Sequence, residues 1–134
     1  MTGPLFTAAR TDVATGLCSR WYFEARADEE LSRALRAGRK VFLVTMTPHT
    51  RGASERLADW LRSGLRIYDL AAPLGDGRLA VLLLETDEDG MMSLLRRVQE
   101  AILTPVDFGT ATFPDDGITF DNLLARAGAL LAAS

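Results

Sequence analysis

RIYDLAAPLGDGRLAVLLLE, residues 66–85, decides the reading of this chain. A short apolar run begins at Leu70, Pro73 and the triplet Gly75, Asp76, Gly77 break it, and residues 79–85 resume as a near-continuous apolar stretch. Two runs joined by such a turn read as a hairpin, and an uninterrupted apolar strand belongs at the centre of a sheet. Two chemical features frame the hairpin. Arg66 and Asp69 stand three residues apart just ahead of it, and Arg78 places a cation directly behind the turn.

Working outward, Ser54 serves as an N-cap for a helix through Leu57, Trp60, Leu61 and Leu65, spacings that line one face, with Arg66 at its end. Before it, Val41 to Met46 is a β-branched and aromatic run that Pro48 breaks, the pattern of a buried strand. A first helix spans residues 21–36, with Phe23, Leu31 and Leu35 among charges and Gly38 as its stop. After the hairpin, Asp87 and Glu88 favour a helix start. Met91, Leu94, Leu95, Val98 and Ile102 continue that helix, with one of Met91 and Met92 in the core and the other in solvent. Val106, Phe108 and Thr110 alternate as a strand, Asp115 to Gly117 turn, and residues 120–131 form a last apolar-faced helix. The expected fold is α/β (α+β), a two-layer sandwich whose helices cover a mostly antiparallel sheet.

Composition sets limits on function. At 134 residues and 48% hydrophobic, the chain suits a single domain over residues 1–134, whole or excised from a longer regulator. A net charge of −3 argues against a nucleic-acid polymer as partner. Fourteen arginines to one lysine supply planar forks suited to phosphate and guanine. Cys18 is alone, so neither a disulfide nor a thiolate cluster is expected. The start lacks a signal-peptide pattern and no apolar run reaches membrane length, which leads to an expectation of a cytoplasmic protein away from the membrane. His49 has no carboxylate cluster beside it in sequence and is assigned no role.

The motifs together resemble those of GGDEF domains, the diguanylate cyclase family. Asp12, Thr15, Gly16, Leu17, Arg20 and Phe23 stand in register with the family's opening pattern, with Ser19 where it has asparagine. Residues 106–111 and 123–133 are similar to its closing strand and helix. Arg66 and Asp69 match the RxxD inhibitory site, which precedes the signature turn by the same interval. Where the family writes Gly-Gly-Asp/Glu-Glu-Phe, this chain has Gly75, Asp76, Gly77, Arg78 and Leu79.

The departures imply that catalysis is gone. Cyclase chemistry needs carboxylates to hold two metals while one GTP attacks another. Thr45, Met46 and Thr47 replace an Asp-Ile-Asp strand end, and Arg78 replaces a metal-binding glutamate. About ten residues are missing between Thr50 and Leu57, with the groups that read guanine, and the family's phosphate-binding lysine aligns with Ser134. No metal, Mg²⁺ or other cofactor is expected.

What the resemblance leaves is a binding site for cyclic di-GMP at Arg66, Asp69 and Arg97, to which Arg62 adds from one helical turn earlier. An RxxD pair alone is weak, since 14 Arg and 11 Asp in 134 residues yield about one by chance, and Arg56 with Asp59 is another. Its weight comes from position. The implied function is a non-catalytic cyclic di-GMP effector in bacterial cell-cycle or biofilm regulation, the Ala- and Arg-rich composition siding with the cell-cycle type. It would signal through a second copy of the chain, a protein partner or attached receiver-type domains. The alternatives are a dimerisation scaffold without nucleotide, which could use apolar surface bared around Trp60 and Leu61, a residual enzyme, and a plain surface ion pair between Arg66 and Asp69.

Overall fold

The runs that are apolar at every position, at Val41 and at Leu79, need cover on both faces of a sheet, and they become its two inner strands. The computed structural model describes residues 10–50 and 52–133. In chain order these form α1 (Arg20–Ala37), β1 (Val41–Pro48), α2 (Ala53–Gly64), β2 (Leu70–Gly75), β3 (Arg78–Leu83), α3 (Glu88–Ile102), β4 (Val106–Phe113) and α4 (Phe120–Ala133). The four strands lie in the order β2-β3-β1-β4, and each neighbouring pair is antiparallel.

The α+β class and the antiparallel sheet are as expected, but the layering needs one correction. Phe42, Val44 and Met46 of β1 pack with Leu57 and Leu61 of α2 and with Leu94 and Val98 of α3. Val41 and Leu43 point the other way, into Phe23 and Leu31 of α1 and Leu123 of α4. The sheet is therefore the middle of three layers, because β1 and β3 carry apolar side chains on both faces. Burying a residue such as Phe23, which has no exposed surface, stabilises the fold by about 1.5–3 kcal/mol.

The N-termini of α1 and α3 and the end of α1 follow their capping chemistry. Ser19 caps α1, accepting from the Tyr22 N–H, and Gly38 ends it in the left-handed region at φ 69°. Asp87 caps α3 through the Gly90 N–H at 2.8 Å. At α2, however, Ser54 is not the cap. Gly52, at φ 86°, takes that position without a side-chain bond, and Ser54 lies inside the helix. Its hydroxyl donates instead to the Gly77 carbonyl at 2.8 Å, fastening α2 to the hairpin turn. Leu35 is also displaced from its expected place, 60% exposed while Ala34 takes the core position. Met91 is buried and Met92 exposed, as their spacing implies. Ser134, like residues 1–9 and Arg51, lies outside the described residues.

Candidate functional site

The signature turn is a tight two-residue loop. Gly75 pairs with Arg78 across the hairpin, and Asp76 and Gly77 between them have φ of 55° and 78°. Positive φ at both central residues is the type I′ pattern, in which Asp-Gly is favoured. Behind the turn, Leu79 is buried and Arg78 is half-buried. Thr45 sits deep in β1, 1% exposed, paired with Ala80 on one side and Gly109 on the other. Its hydroxyl donates to the Gly109 carbonyl at 3.4 Å. Gly109 is glycine for a reason: a Cβ there would lie 2.3 Å from the Ala127 carbonyl oxygen of α4. Among the described residues, no group of three or more His, Cys, Asp and Glu side chains is placed to hold a metal ion.

A second constellation forms on the α2 and α3 side. The chain leaves α2 at Gly64, so Arg66 falls two residues beyond the helix rather than at its end. Residues 66–69 make a turn in which the Asp69 N–H donates to the Arg66 carbonyl at 3.0 Å. Arg66, Asp69 and Arg97 then line one small cavity of about 50 Å³, together with Gly64, Leu65 and Thr86. The three predicted polar groups therefore converge.

Arg66 and Asp69 do not form an ion pair within 4.0 Å. The Arg66 guanidinium is exposed, and its Nη1 donates to the Tyr68 hydroxyl at 3.0 Å and to the Glu85 carbonyl at 3.5 Å. Asp69 is half-buried and accepts the Leu84 N–H on Oδ1 at 3.2 Å. Burial raises its pKa above the ordinary carboxylate value, opposed by backbone hydrogen bonds from Leu84 and Arg66 and by the charge of Arg66. Arg97 stands with its Cζ over the Trp60 ring, 5.6 Å from the centroid.

Arg62 departs from expectation. It pairs with Asp59 one turn back on α2 and lies along Gly16, lining a neighbouring cavity of about 250 Å³ that also touches Arg66 and Asp69. It thus borders the site from the far side of the turn. The expected bare surface near Trp60 is absent too: Leu61 is 1% exposed, and Trp60 packs against the α2–α3 core under Arg97. Two contacts escaped the sequence reading. The Trp60 ring lies close against Gly64, and the only signal of this in the sequence is their spacing of four along a helix. His49 pairs with Asp107 at 2.9 Å, both half-exposed, because β1 and β4 are antiparallel and meet at Pro48 and Val106.

The fold is that of GGDEF domains. A sensory box/GGDEF family protein from Caulobacter crescentus matches with a TM-score of 0.79 at 22% identity, over 93% of this chain and 97% of its own. The coiled coil and GGDEF domain of DgcB from the same organism, solved in complex with c-di-GMP, matches with a TM-score of 0.83 at 19% identity, over 97% and 82%. The diguanylate cyclase SiaD from Pseudomonas aeruginosa, solved with its activator SiaC, matches with a TM-score of 0.82 at 25% identity, over 96% of this chain and 59% of SiaD. No protein-family model and no curated protein matches the chain. No helix among the described residues is long and apolar enough to cross a membrane.

Proposed function

We propose that this chain is a GGDEF domain without cyclase activity that serves as a receptor for cyclic di-GMP. The observation that carries the reading is the convergence of Arg66, Asp69 and Arg97 on one cavity beside the turn that follows α2. Each retains unspent hydrogen-bonding capacity suited to the ligand. The Asp69 carboxylate has lone pairs left to accept from guanine N1 and N2 hydrogens, and an arginine edge can donate to guanine O6 and N7 or to phosphate.

The non-catalytic half of the reading rests on residue type. Where the family resemblance implies metal-binding carboxylates, this chain has a buried threonine donating to a carbonyl, Thr45, and an arginine, Arg78. A hard divalent cation is anchored in such sites by one or two carboxylates, which neither residue supplies. Occupancy is transmitted by a ligand bridging two surfaces, either of two copies of the chain or of the chain and a partner.

Calorimetric titration of cyclic di-GMP, with Arg66→Ala in parallel, tests the receptor. Saturable binding at micromolar concentration or tighter, lost in the variant, is expected. The absence of heat at high ligand concentration would sink the receptor and favour a scaffold. Incubation with GTP and Mg²⁺ tests the other half, and conversion to a cyclic dinucleotide would overturn it.

A further inference from the structure

We infer that Trp60 is a positioning residue of the dinucleotide site, a stacking shelf that holds Arg97 so that its N–H edge faces the ligand; this rests on the receptor reading above. Three observations converge on it. Arg97 Cζ lies over the indole at 5.6 Å, within the range of a cation–π contact. Its neighbour Arg96 reaches Glu100, but among the described residues no carboxylate lies within 4.0 Å of Arg97. Arg97 also lines the same cavity as Arg66 and Asp69.

The distinction matters chemically. A guanidinium neutralised by a carboxylate has donated part of its fork and surrendered much of its attraction for an anion. One held over an aromatic face keeps all five N–H donors and its full charge while losing side-chain freedom before the ligand arrives. Preorganising a cation without spending its donors is what recognition of guanine O6 and N7, or of phosphate, requires.

Gly64 completes the device. A Cβ at this last residue of α2 would lie 3.0 Å from Cη2 and Cζ3 of the Trp60 ring, so any larger residue would push the ring by a few tenths of an ångström. Gly64 is not at positive φ, so this close contact, rather than backbone conformation, is what glycine serves there. The spacing Trp60 to Gly64 on α2, with Arg97 opposite on α3, therefore constitutes one unit. Its purpose is to aim a cation.

The test uses cyclic di-GMP titrated into the wild-type chain and into Trp60→Leu, Trp60→Phe, Gly64→Ala and Arg66→Ala, with thermal stability measured on each. Trp60→Leu is expected to weaken affinity about tenfold, with Trp60→Phe recovering most of the loss. Gly64→Ala supplies the readout that a merely structural role would not move. Alanine's helix preference offsets the few-tenths-of-an-ångström shift asked of the ring, so folding stability is expected to change little while the shifted ring lowers affinity. In a Trp21→Phe background, ligand should also change the fluorescence of the remaining Trp60. Binding abolished by Arg66→Ala but unchanged in Trp60→Leu and Gly64→Ala would overturn this inference and leave the receptor standing. Affinity losses that merely track losses of stability across the series would overturn it as well. A wild-type chain that does not bind removes the receptor and the shelf together.

Discussion

Asp69 offers a perturbation in which folding and binding should move in opposite directions. Asp69→Asn keeps an oxygen that can accept the Leu84 N–H, now 3.2 Å from Oδ1, and removes the half-buried charge. Asp69→Ala removes the acceptor altogether. Because Leu84 is only partly buried, water relieves some of the loss, and the alanine variant should be less stable by about 1 kcal/mol, or roughly 3–5 °C in Tm. For asparagine the sign depends on pH. The folded pKa of Asp69 lies above the ordinary value of 3.8, so between the two values the folded chain holds more protons than the unfolded one. Wild-type stability therefore carries a penalty that is absent below pH 3.8, grows as pH rises through that window, and is complete above the folded pKa. Asparagine does not titrate. Its advantage over wild type should be near zero at pH 3 and positive at pH 7, though below about 1 kcal/mol because the site is half-exposed. Both variants should lose cyclic di-GMP, since an amide cannot accept from guanine N1 and N2 hydrogens as a carboxylate does. Urea denaturation at pH 3, 5 and 7, paired with calorimetry at pH 7, measures all of this. An asparagine advantage that is flat across pH, or an asparagine variant less stable than the alanine one at pH 7, would refute the account of Asp69.

Three further outcomes are expected. Gly109→Ala sets a Cβ 2.3 Å from the Ala127 carbonyl oxygen and 2.7 Å from Thr45 Oγ1, and should cost at least about 3 kcal/mol by denaturant midpoint. Ser54→Ala frees the exposed Gly77 carbonyl to water and should cost only about 0.5 kcal/mol, with dinucleotide affinity unchanged in calorimetry. Arg78→Glu places a carboxylate at the turn but should yield no cyclic dinucleotide from GTP and Mg²⁺ by chromatography, because Thr45 is unchanged.

The hairpin, the alternation of helices and strands and the order of the elements were legible because their signals are local: the Asp76-Gly77 turn, the Asp87 cap, the Gly38 stop. Layering was less so. Helical periodicity shows that α1 and α2 each have an apolar face but not which side of the sheet each one takes. The clue lay in β1 and β3, whose apolar runs require cover on both sides. At the site, Arg66, Asp69 and Arg97 could be collected by register with a known motif, but Trp60 and Tyr68 could not. Their contribution lies in contacts across elements or within one turn, and an aromatic residue in sequence looks the same whether it fills a core or supports a cation. Ser54 misled for a related reason. Its hydroxyl suited the cap nearby, yet found the Gly77 carbonyl from a separate part of the chain.

The bond from Thr45 to the Gly109 carbonyl limits what position 45 can hold. An aspartate placed there would enter a buried space facing the Gly109 carbonyl oxygen, with its charge against an acceptor. Such a placement costs several kcal/mol unless a cation or donors arrive with it. An acid at this position would thus require several positions to change at once, each change unfavourable alone. The packing of β1 on β4 and α4 acts as a lock: it accommodates a neutral hydroxyl and opposes a carboxylate.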